Sequence, residues 1–244
     1  MQHRNFHDRV VEALGRQIGA GIYRPGASMP VEAALGEEFG VSRVVVREAV
    51  KVLAAKGLVE VRPRTGTRVQ PRERWNLLDP RVIAWRAGSF SASGGQDAAF
   101  IADLMELRRI VEPPAVRLAA VRALPADLQA LRAAFAGMQA AIETDGDYVA
   151  ADLAFHGAIL TACHNQFVQQ LHGALSEILK TSFSISSRDP LRPALSLRLH
   201  EDLLLGIERH DPDAASAAAD RLIARAGEDL ARELEAVSSR APPG

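Results

Sequence analysis

The chain has little of several residue types that would point to other classes of protein. Cys163 is its only cysteine, so an intrachain disulfide is impossible, and its place in a helical pattern is typical of a small core residue. No run approaches the roughly 20 apolar residues of a membrane span. The N-terminal residues also lack the apolar stretch of a secretory signal. We therefore expect a cytoplasmic protein with no membrane partner.

Aromatic residues are also scarce, at 5% of the chain, whereas alanine and leucine dominate its second half and predict a mainly α-helical protein. A length of 244 residues with 48% apolar side chains allows one or two domains with real cores. The net charge of −1 hides an asymmetry. Residues 1–75 hold 13 Lys and Arg against 8 Asp and Glu, and residues 76–244 hold 16 against 22. A basic N-terminal region followed by an acidic remainder is typical of a nucleic-acid-binding module joined to a second domain.

Residues 29–69 carry the most informative pattern in the chain. A first helical segment begins at Ala33 and stops near Gly40, and Ser42 is placed to cap a second helix. Apolar residues at i, i+3 and i+4 spacing predict one buried face for that second helix: Val45, Val46, Ala49, Val50 and Leu53. Residues 58–61 alternate like a strand, and residues 64–67 turn the chain back into Arg68 and Val69. The pattern is that of a helix-turn-helix followed by a wing.

Basic side chains lie on this module where DNA would meet it. Arg43, Arg47 and Lys51 are four residues apart, so they share one exposed face of the second helix. The alternative is a small helical hairpin with a solvated basic face, but a wing that also carries arginines favours DNA. A guanidinium donates two hydrogen bonds to guanine, and a recognition helix inserts its N-terminal end into the major groove. Ser42 and Arg43 occupy that end.

Residues 7–69 also resemble the GntR family of bacterial transcription regulators. The resemblance rests on four pieces: Gly21-x-Tyr23-x-Pro25-Gly26, Met29-Pro30-x-Glu32, Val41-Ser42-Arg43-x-x-x-Arg47-Glu48-Ala49 and Gly57-Leu58. It implies that Ser42, Arg43 and Arg47 contact operator DNA and that the wing tip enters the minor groove. The chain departs from the family at Ala33, where many members have an arginine, and at Arg64, where many have a glycine. The predicted DNA-binding residues are Ser42, Arg43, Arg47, Lys51, Arg64, Thr65 and Gly66.

The rest of the chain is predicted to form a connector and a helical bundle. We assign residues 1–72 to the winged helix-turn-helix domain and residues 73–96 to the connector, with a short helix beginning near Asp79-Pro80 and a flexible break at residues 87–96. Residues 97–238 form an all-α antiparallel bundle, and residues 239–244 form a disordered tail. The predicted bundle helices are 97–123, 125–143, 148–163, 166–187, 194–209 and 213–237.

Two groups of polar residues in the bundle are candidates for binding chemistry. Asp152 and His156 are one helical turn apart, and with His200 on a later helix they could share a divalent cation. The alternative is a surface hydrogen bond between Asp152 and His156. Arg108 lies among apolar residues of its helix, so it is predicted to be partly buried and to need an anion. That anion is either Glu112, one turn away, or the carboxylate of a ligand.

Residues 98–237 resemble the FCD ligand-binding domain of the FadR-like subgroup of GntR regulators. The carrying residues are Glu106-x-Arg108-x-x-x-Glu112, Asp152-x-x-Phe155-His156, Asn165, His200 and Asp211-x-Asp213-Ala214-Ala215. In that family an Asp and three His bind a metal, and the matching Arg faces the cavity. The resemblance therefore implies a site for Zn, Ni or Mn at Asp152, His156 and His200. Leu222 stands where the last His is expected, so a polar, metal-free pocket in which the imidazoles bind the effector directly is left open.

A narrower resemblance, to the galactonate-operon repressors of this subgroup, rests on three pieces: Trp75-Asn76-x-Leu78-Asp79-x-x-Val82-x-x-Trp85, Val111-Glu112-Pro113 and His164-Asn165-x-x-x-Gln169-Gln170-Leu171. It implies a homodimeric repressor of sugar-acid catabolism that binds double-stranded operator DNA and is not an enzyme. The effector would be a small carboxylate such as D-galactonate, bound by Arg108, Asp152, His156 and His200. The alternatives are a regulator of another organic-acid pathway, a metal-dependent enzyme using the Asp152 cluster, and a constitutive DNA-binding protein.

Overall fold

The computed structural model describes the backbone of residues 2–88, 98–186 and 192–238, and the side chains of residues 6–88, 98–183 and 193–232. The chain divides into two compact units, Met1–Asp97 and Ala98–Gly244, and the predicted mainly α-helical fold is confirmed. Most of the predicted flexible break and the whole predicted tail lie outside the described residues. None of the helices in the described part of the chain is both long and apolar enough to cross a lipid bilayer.

The first unit contains four helices and a two-stranded hairpin within its described residues. The elements are α1 (Gln2–Gly19), α2 (Glu32–Phe39), α3 (Arg43–Ala55), β1 (Val59–Arg62), β2 (Gly66–Val69), a 3-10 turn (Arg72–Arg74) and α4 (Pro80–Ala87). Apolar side chains of α1, α3 and the hairpin form one core around Leu14, Ile18, Leu53 and Leu58. This arrangement places the exposed face of α3 beside the hairpin as a winged helix-turn-helix.

The turn between α2 and α3 follows from two residues. Gly40 ends α2 with φ of 65°, a left-handed conformation that glycine adopts without the Cβ penalty. Ser42 then caps α3, because its Oγ accepts a hydrogen bond from the backbone N–H of Val45 at 3.4 Å. The two signals fix the start of α3 at Arg43, which keeps the Arg43 side chain in the first helical turn.

The hairpin is antiparallel, with Val59 opposite Val69 and Arg62 opposite Gly66. Val59 and Val69 are buried against the helices, whereas the tip residues are exposed. The wing is therefore anchored at its base by apolar packing and open to a partner at its tip.

Helix α4 of the predicted connector packs on α1 and belongs to the first unit. Asp79 caps α4, and its other oxygen pairs with Lys56 at 2.5 Å. Glu12 accepts hydrogen bonds from the Trp85 indole at 2.8 Å and from Arg81 at 3.0 Å. A Cβ at Gly15 would lie 2.4 Å from the Trp85 ring, so only glycine lets the indole approach α1 this closely.

The second unit is helical throughout its described residues. Its elements are α5 (Ala98–Arg122), α6 (Pro125–Glu143), α7 (Tyr148–Ala162), α8 (Gln166–Gln170), α9 (His172–Ser186), α10 (Arg192–Glu208) and α11 (Pro212–Ser238). The predicted single helix over residues 166–187 is wrong, since the chain turns at Leu171 and forms α8 and α9. The core contains Cys163, as predicted, together with large side chains such as Phe155 and Leu203.

Candidate functional site

The predicted DNA-binding residues of α3 share one exposed surface, but they differ in their partners. The side chains of Arg43, Arg47 and Lys51 are all exposed. Arg47 donates to both oxygens of Glu32 on α2, with Nη2 at 2.7 Å from Oε2 and Nε at 3.0 Å from Oε1. These hydrogen bonds, with the nearby charges of Arg47 and Arg43, hold the pKa of Glu32 below its ordinary value. Arg47 therefore braces α2 against α3 as well as facing outward.

Among the basic residues of α3, Arg43 is the one that a ligand could contact without displacing a carboxylate. It forms no ion pair with any residue that the structure describes, whereas Lys51 is paired with Glu48 at 2.7 Å. A base contact by Arg43 needs no ion pair to be broken first. A contact by Arg47 or Lys51 must compete with a carboxylate already in place.

The wing tip carries a backbone conformation that its residue type disfavours. Arg64 has φ of 68°, and Gly66 has φ of 80°. The left-handed region costs an L-residue about 1–2 kcal/mol, a cost that glycine avoids. Arg64 therefore keeps a strained conformation at the position where the sequence departs from the GntR pattern. Such strain is a reason to suspect that the side chain itself is used.

Three predicted metal-site residues meet in the middle of the second unit. Asp152 and His156 lie on α7, His200 lies on α10, and all three are buried. One donor atom from each residue lies within 4.8 Å of the others. The alternative of a surface pair between Asp152 and His156 does not describe these side chains, because Asp152 is only 1% exposed.

The two rings face the carboxylate through nitrogens that can act as ligands. The Nδ1 of His200 donates to the carbonyl of Ser196 at 2.8 Å, which leaves its Nε2 to face Asp152. His200 Nε2 lies 3.1 Å from Asp152 Oδ1, without the alignment of a hydrogen bond. His200 Nε2 and the other carboxylate oxygen, Asp152 Oδ2, are both buried without a hydrogen-bond partner. A buried imidazole nitrogen and a buried carboxylate that face each other need a proton or a cation between them. A divalent metal satisfies both.

The other imidazole is held in a compatible way. His156 Nε2 lies 3.7 Å from Asp152 Oδ2, and its Nδ1 lies 3.5 Å from Glu112 Oε2. Burial lowers the pKa of His156 despite the opposing charges of Asp152 and Glu112, so the ring keeps a lone pair for a metal. Burial alone would raise the pKa of Asp152, but the neighbouring His156, His200 and Arg108 hold it below its ordinary value. The residues present therefore fit a divalent cation with two imidazole ligands and one carboxylate ligand.

Arg108 reaches the same place and already has a carboxylate. It is 2% exposed, lines the cavity beside Asp152, and donates from Nε to Glu112 Oε1 at 2.6 Å. The sequence allowed two anions for Arg108, Glu112 or a ligand carboxylate, and in this conformation the anion is Glu112. Glu112 in turn faces His156, so a chain of charged and polar groups runs from Arg108 to His200.

Sequence reasoning missed a second basic group at this cavity. Arg225 and Asp229 of α11 line it, and Arg225 Nε lies 3.2 Å from Asp229 Oδ1, which also pairs with Arg232. Leu222 lines the cavity one turn before Arg225. A signal for this pair was present in the sequence. Arg225 and Asp229 lie three and seven residues after Leu222, so they share the apolar face of the helix.

Models of two known families match the chain over most of its length. The model described as bacterial regulatory proteins of the gntR family matches residues 6–69, and the FCD domain model matches residues 103–225. The chain belongs to the GntR family. Its two domains are therefore the DNA-binding and FCD domains of a transcription regulator, and the chain is not an enzyme.

Relatives of this GntR regulator support the same assignment. It is 37% identical over 221 residues to the galactonate operon transcriptional repressor of Escherichia coli strain K12, covering 90% of this chain and 94% of that protein. It is 33% identical to the uncharacterized HTH-type regulator YieP of the same strain, covering 90% and 93%. Among solved structures, Lar, which controls expression of the Listeria monocytogenes agr system, shares the fold with a TM-score of 0.66 and 18% identity, covering 93% and 96%.

Proposed function

We propose that this regulator is a homodimeric repressor of sugar-acid catabolism that leaves its operator when a small carboxylate such as D-galactonate binds the second unit. The observation that carries the proposal is the buried cluster of Asp152, His156, His200 and Arg108 beside a cavity, in a chain with a DNA-binding module. The 37% identity to the galactonate operon repressor supports the choice of effector.

The DNA-binding half of the proposal rests on Arg43 and the wing tip. A two-fold symmetric dimer presents two copies of α3 to two half-sites of a palindromic operator. Arg43 is unpaired among the described residues and lies in the first turn of α3, so it is our candidate for the base contact. Arg64, Thr65 and Gly66 are exposed at the wing tip and are our candidates for the minor groove.

The balance of charges around the cavity supports a metal at the proposed effector site. The charged groups that line the cavity or pair with its lining form a balanced set of three guanidiniums and three carboxylates: Arg108, Arg225, Arg232, Glu112, Asp152 and Asp229. With neutral imidazoles, this set has no surplus charge to attract an anion. A bound divalent cation would supply two positive charges. We therefore propose that acid and metal bind with positive coupling, which linkage makes reciprocal.

The cavity must also enlarge to take such an acid. Its volume of about 30 Å³ has room for roughly two water molecules. Pockets for small ligands are about ten to thirty times larger. We propose that the acid displaces lining side chains and takes over part of the Arg108–Glu112 pairing. The resulting rearrangement can release DNA only by the difference in acid affinity between the two conformations.

A thermal-shift screen of the full chain tests this proposal. Hexonates, uronates, lactate and dicarboxylates are each added with and without Zn, Ni or Mn. A ligand at a hundredfold excess over its Kd stabilises the folded state by about 2.7 kcal/mol. We expect hexonates to raise the unfolding midpoint more in the presence of metal, because the proposed coupling lowers their Kd. A shift with lactate or a dicarboxylate alone would move the assignment to another organic-acid pathway. No shift with any acid would favour a constitutive DNA-binding protein.

A further inference from the structure

One apolar side chain stands out on the surface of α3. Val44 is 64% exposed, and within α3, all of which the structure describes, it is the one large apolar residue with that exposure. The other exposed residues of the helix are charged, apart from Ala55 at its end: Arg43, Arg47, Glu48 and Lys51. The remaining valines and Leu53 are buried or half-buried against the core.

Nothing in the fold calls for valine at this position. A β-branched residue is a weaker helix former than alanine or lysine, and an exposed valine gains no burial. Its side chain has one strongly preferred rotamer in a helix, so it forms a rigid apolar knob. Such a knob loses little conformational entropy when it binds another surface.

The position of Val44 identifies the apolar group that it would meet. It directly follows Arg43 in the first turn of α3, the part of a recognition helix that reaches base edges. On the major-groove edge of B-DNA, the apolar group is the 5-methyl of thymine. We propose that Val44 reads a thymine methyl next to the base contacted by Arg43, and so sets part of the operator sequence. The proposal rests on the DNA-binding role of α3.

The test removes single methyl groups from the operator. The full chain is used to select its site from random duplexes, and each thymine of that site is then replaced by uracil. We expect one symmetric thymine per half-site at which uracil weakens wild-type binding about three- to fivefold, the worth of one buried methyl. Val44→Ala should bind thymine and uracil operators equally at that position. Val31→Ala is the matched control, because Val31 is 68% exposed but precedes α2, and it should keep the discrimination.

The outcomes separate two failures. A selected operator that tolerates uracil at every position would overturn the role of Val44 and leave α3 as the recognition helix. Discrimination that persists in Val44→Ala would overturn it equally, since the methyl would then be read by another residue. Failure to enrich any sequence would contradict the DNA-binding role itself, and the proposal for Val44 with it. Val44→Ala should unfold at the same temperature as wild type or slightly above, because the side chain is exposed.

Discussion

The two units place their candidate functional groups in opposite environments. In the first unit, Arg43 and the wing-tip residues are exposed and could be removed without opening the core. In the second unit, Arg108, Glu112, Asp152 and His200 are buried, Arg108 pairs with Glu112, and His200 faces Asp152. A surface site separates binding from folding, whereas a buried charged site makes folding, ligand binding and charge balance interdependent. The same kind of substitution should therefore have different consequences in the two units.

Arg43→Ala tests the surface side of this comparison and has the largest expected effect. A bidentate arginine–guanine contact is worth about 1–3 kcal/mol, and a dimer would lose two of them. We expect operator affinity to fall by about 5- to 150-fold per half-site, measured by fluorescence anisotropy. The unfolding midpoint should not change. Arg16→Ala, on the exposed face of α1, is the control that should bind normally. Wild-type affinity in Arg43→Ala would remove Arg43 from the DNA contact.

Arg108→Ala tests the buried side. It leaves Glu112 as a buried, unpaired carboxylate, and removing one partner of a buried pair costs about 3–5 kcal/mol. We expect a lower unfolding midpoint and loss of the effector response, with DNA binding retained below that midpoint. The double variant Arg108→Leu/Glu112→Leu should recover stability without recovering the response. A double variant that still leaves DNA when the acid is added would show that the pair is structural.

Leu222→His sharpens the metal assignment. Leu222 lines the same cavity as Asp152 and His200, so an imidazole there could complete four protein ligands. We expect divalent metal to bind more tightly to Leu222→His than to the wild type, measured by competition with a chelator dye. Asp152→Asn should abolish binding in both backgrounds. If Leu222→His binds metal no better than wild type, the cluster and the Leu222 position do not converge on one ion.

Arg64→Gly has the smallest expected effect and separates stability from binding. Glycine would relieve the left-handed strain of Arg64, partly offset by its greater freedom in the unfolded chain, for a net gain of about 0.5–1 kcal/mol. The same change removes a charge from the wing and should weaken operator binding and its salt dependence. A variant that is more stable but binds DNA unchanged would show that the wing tip makes no contact.

Local signals in the sequence predicted much of the fold. The bounds of α6 were predicted to the residue, because Pro125 begins it and its apolar spacing is regular. Ser42 identified the start of α3 because its side chain suits the N-cap position, where it accepts a hydrogen bond from the first helical turn. The break at Leu171 itself has no glycine or proline, and Gly173 lies just inside α9, so no local rule placed the break. In the folded unit, α8 contacts both α7 and α9.

The candidate functional residues also divide into those that local sequence patterns predicted and those that they did not. Arg43 and Arg47 came from a short motif, and Asp152 and His156 from a one-turn spacing. The Arg47–Glu32 hydrogen bonds and the place of the Arg225–Asp229 pair beside Asp152 were not predicted, although the spacing of that pair along α11 was visible in the sequence. Glu32 is 15 residues from Arg47, and α11 is far from α7 along the chain. A single sequence without coordinates does not reveal which distant charges meet.

The most direct test of the account is a titration of labelled operator DNA with the metal-saturated full chain, with and without D-galactonate. We expect the acid to weaken operator binding, and to do so much less after metal is removed with a chelator. An operator affinity that is the same with and without the acid, under conditions where the acid demonstrably binds the protein, would contradict the coupling between the two units.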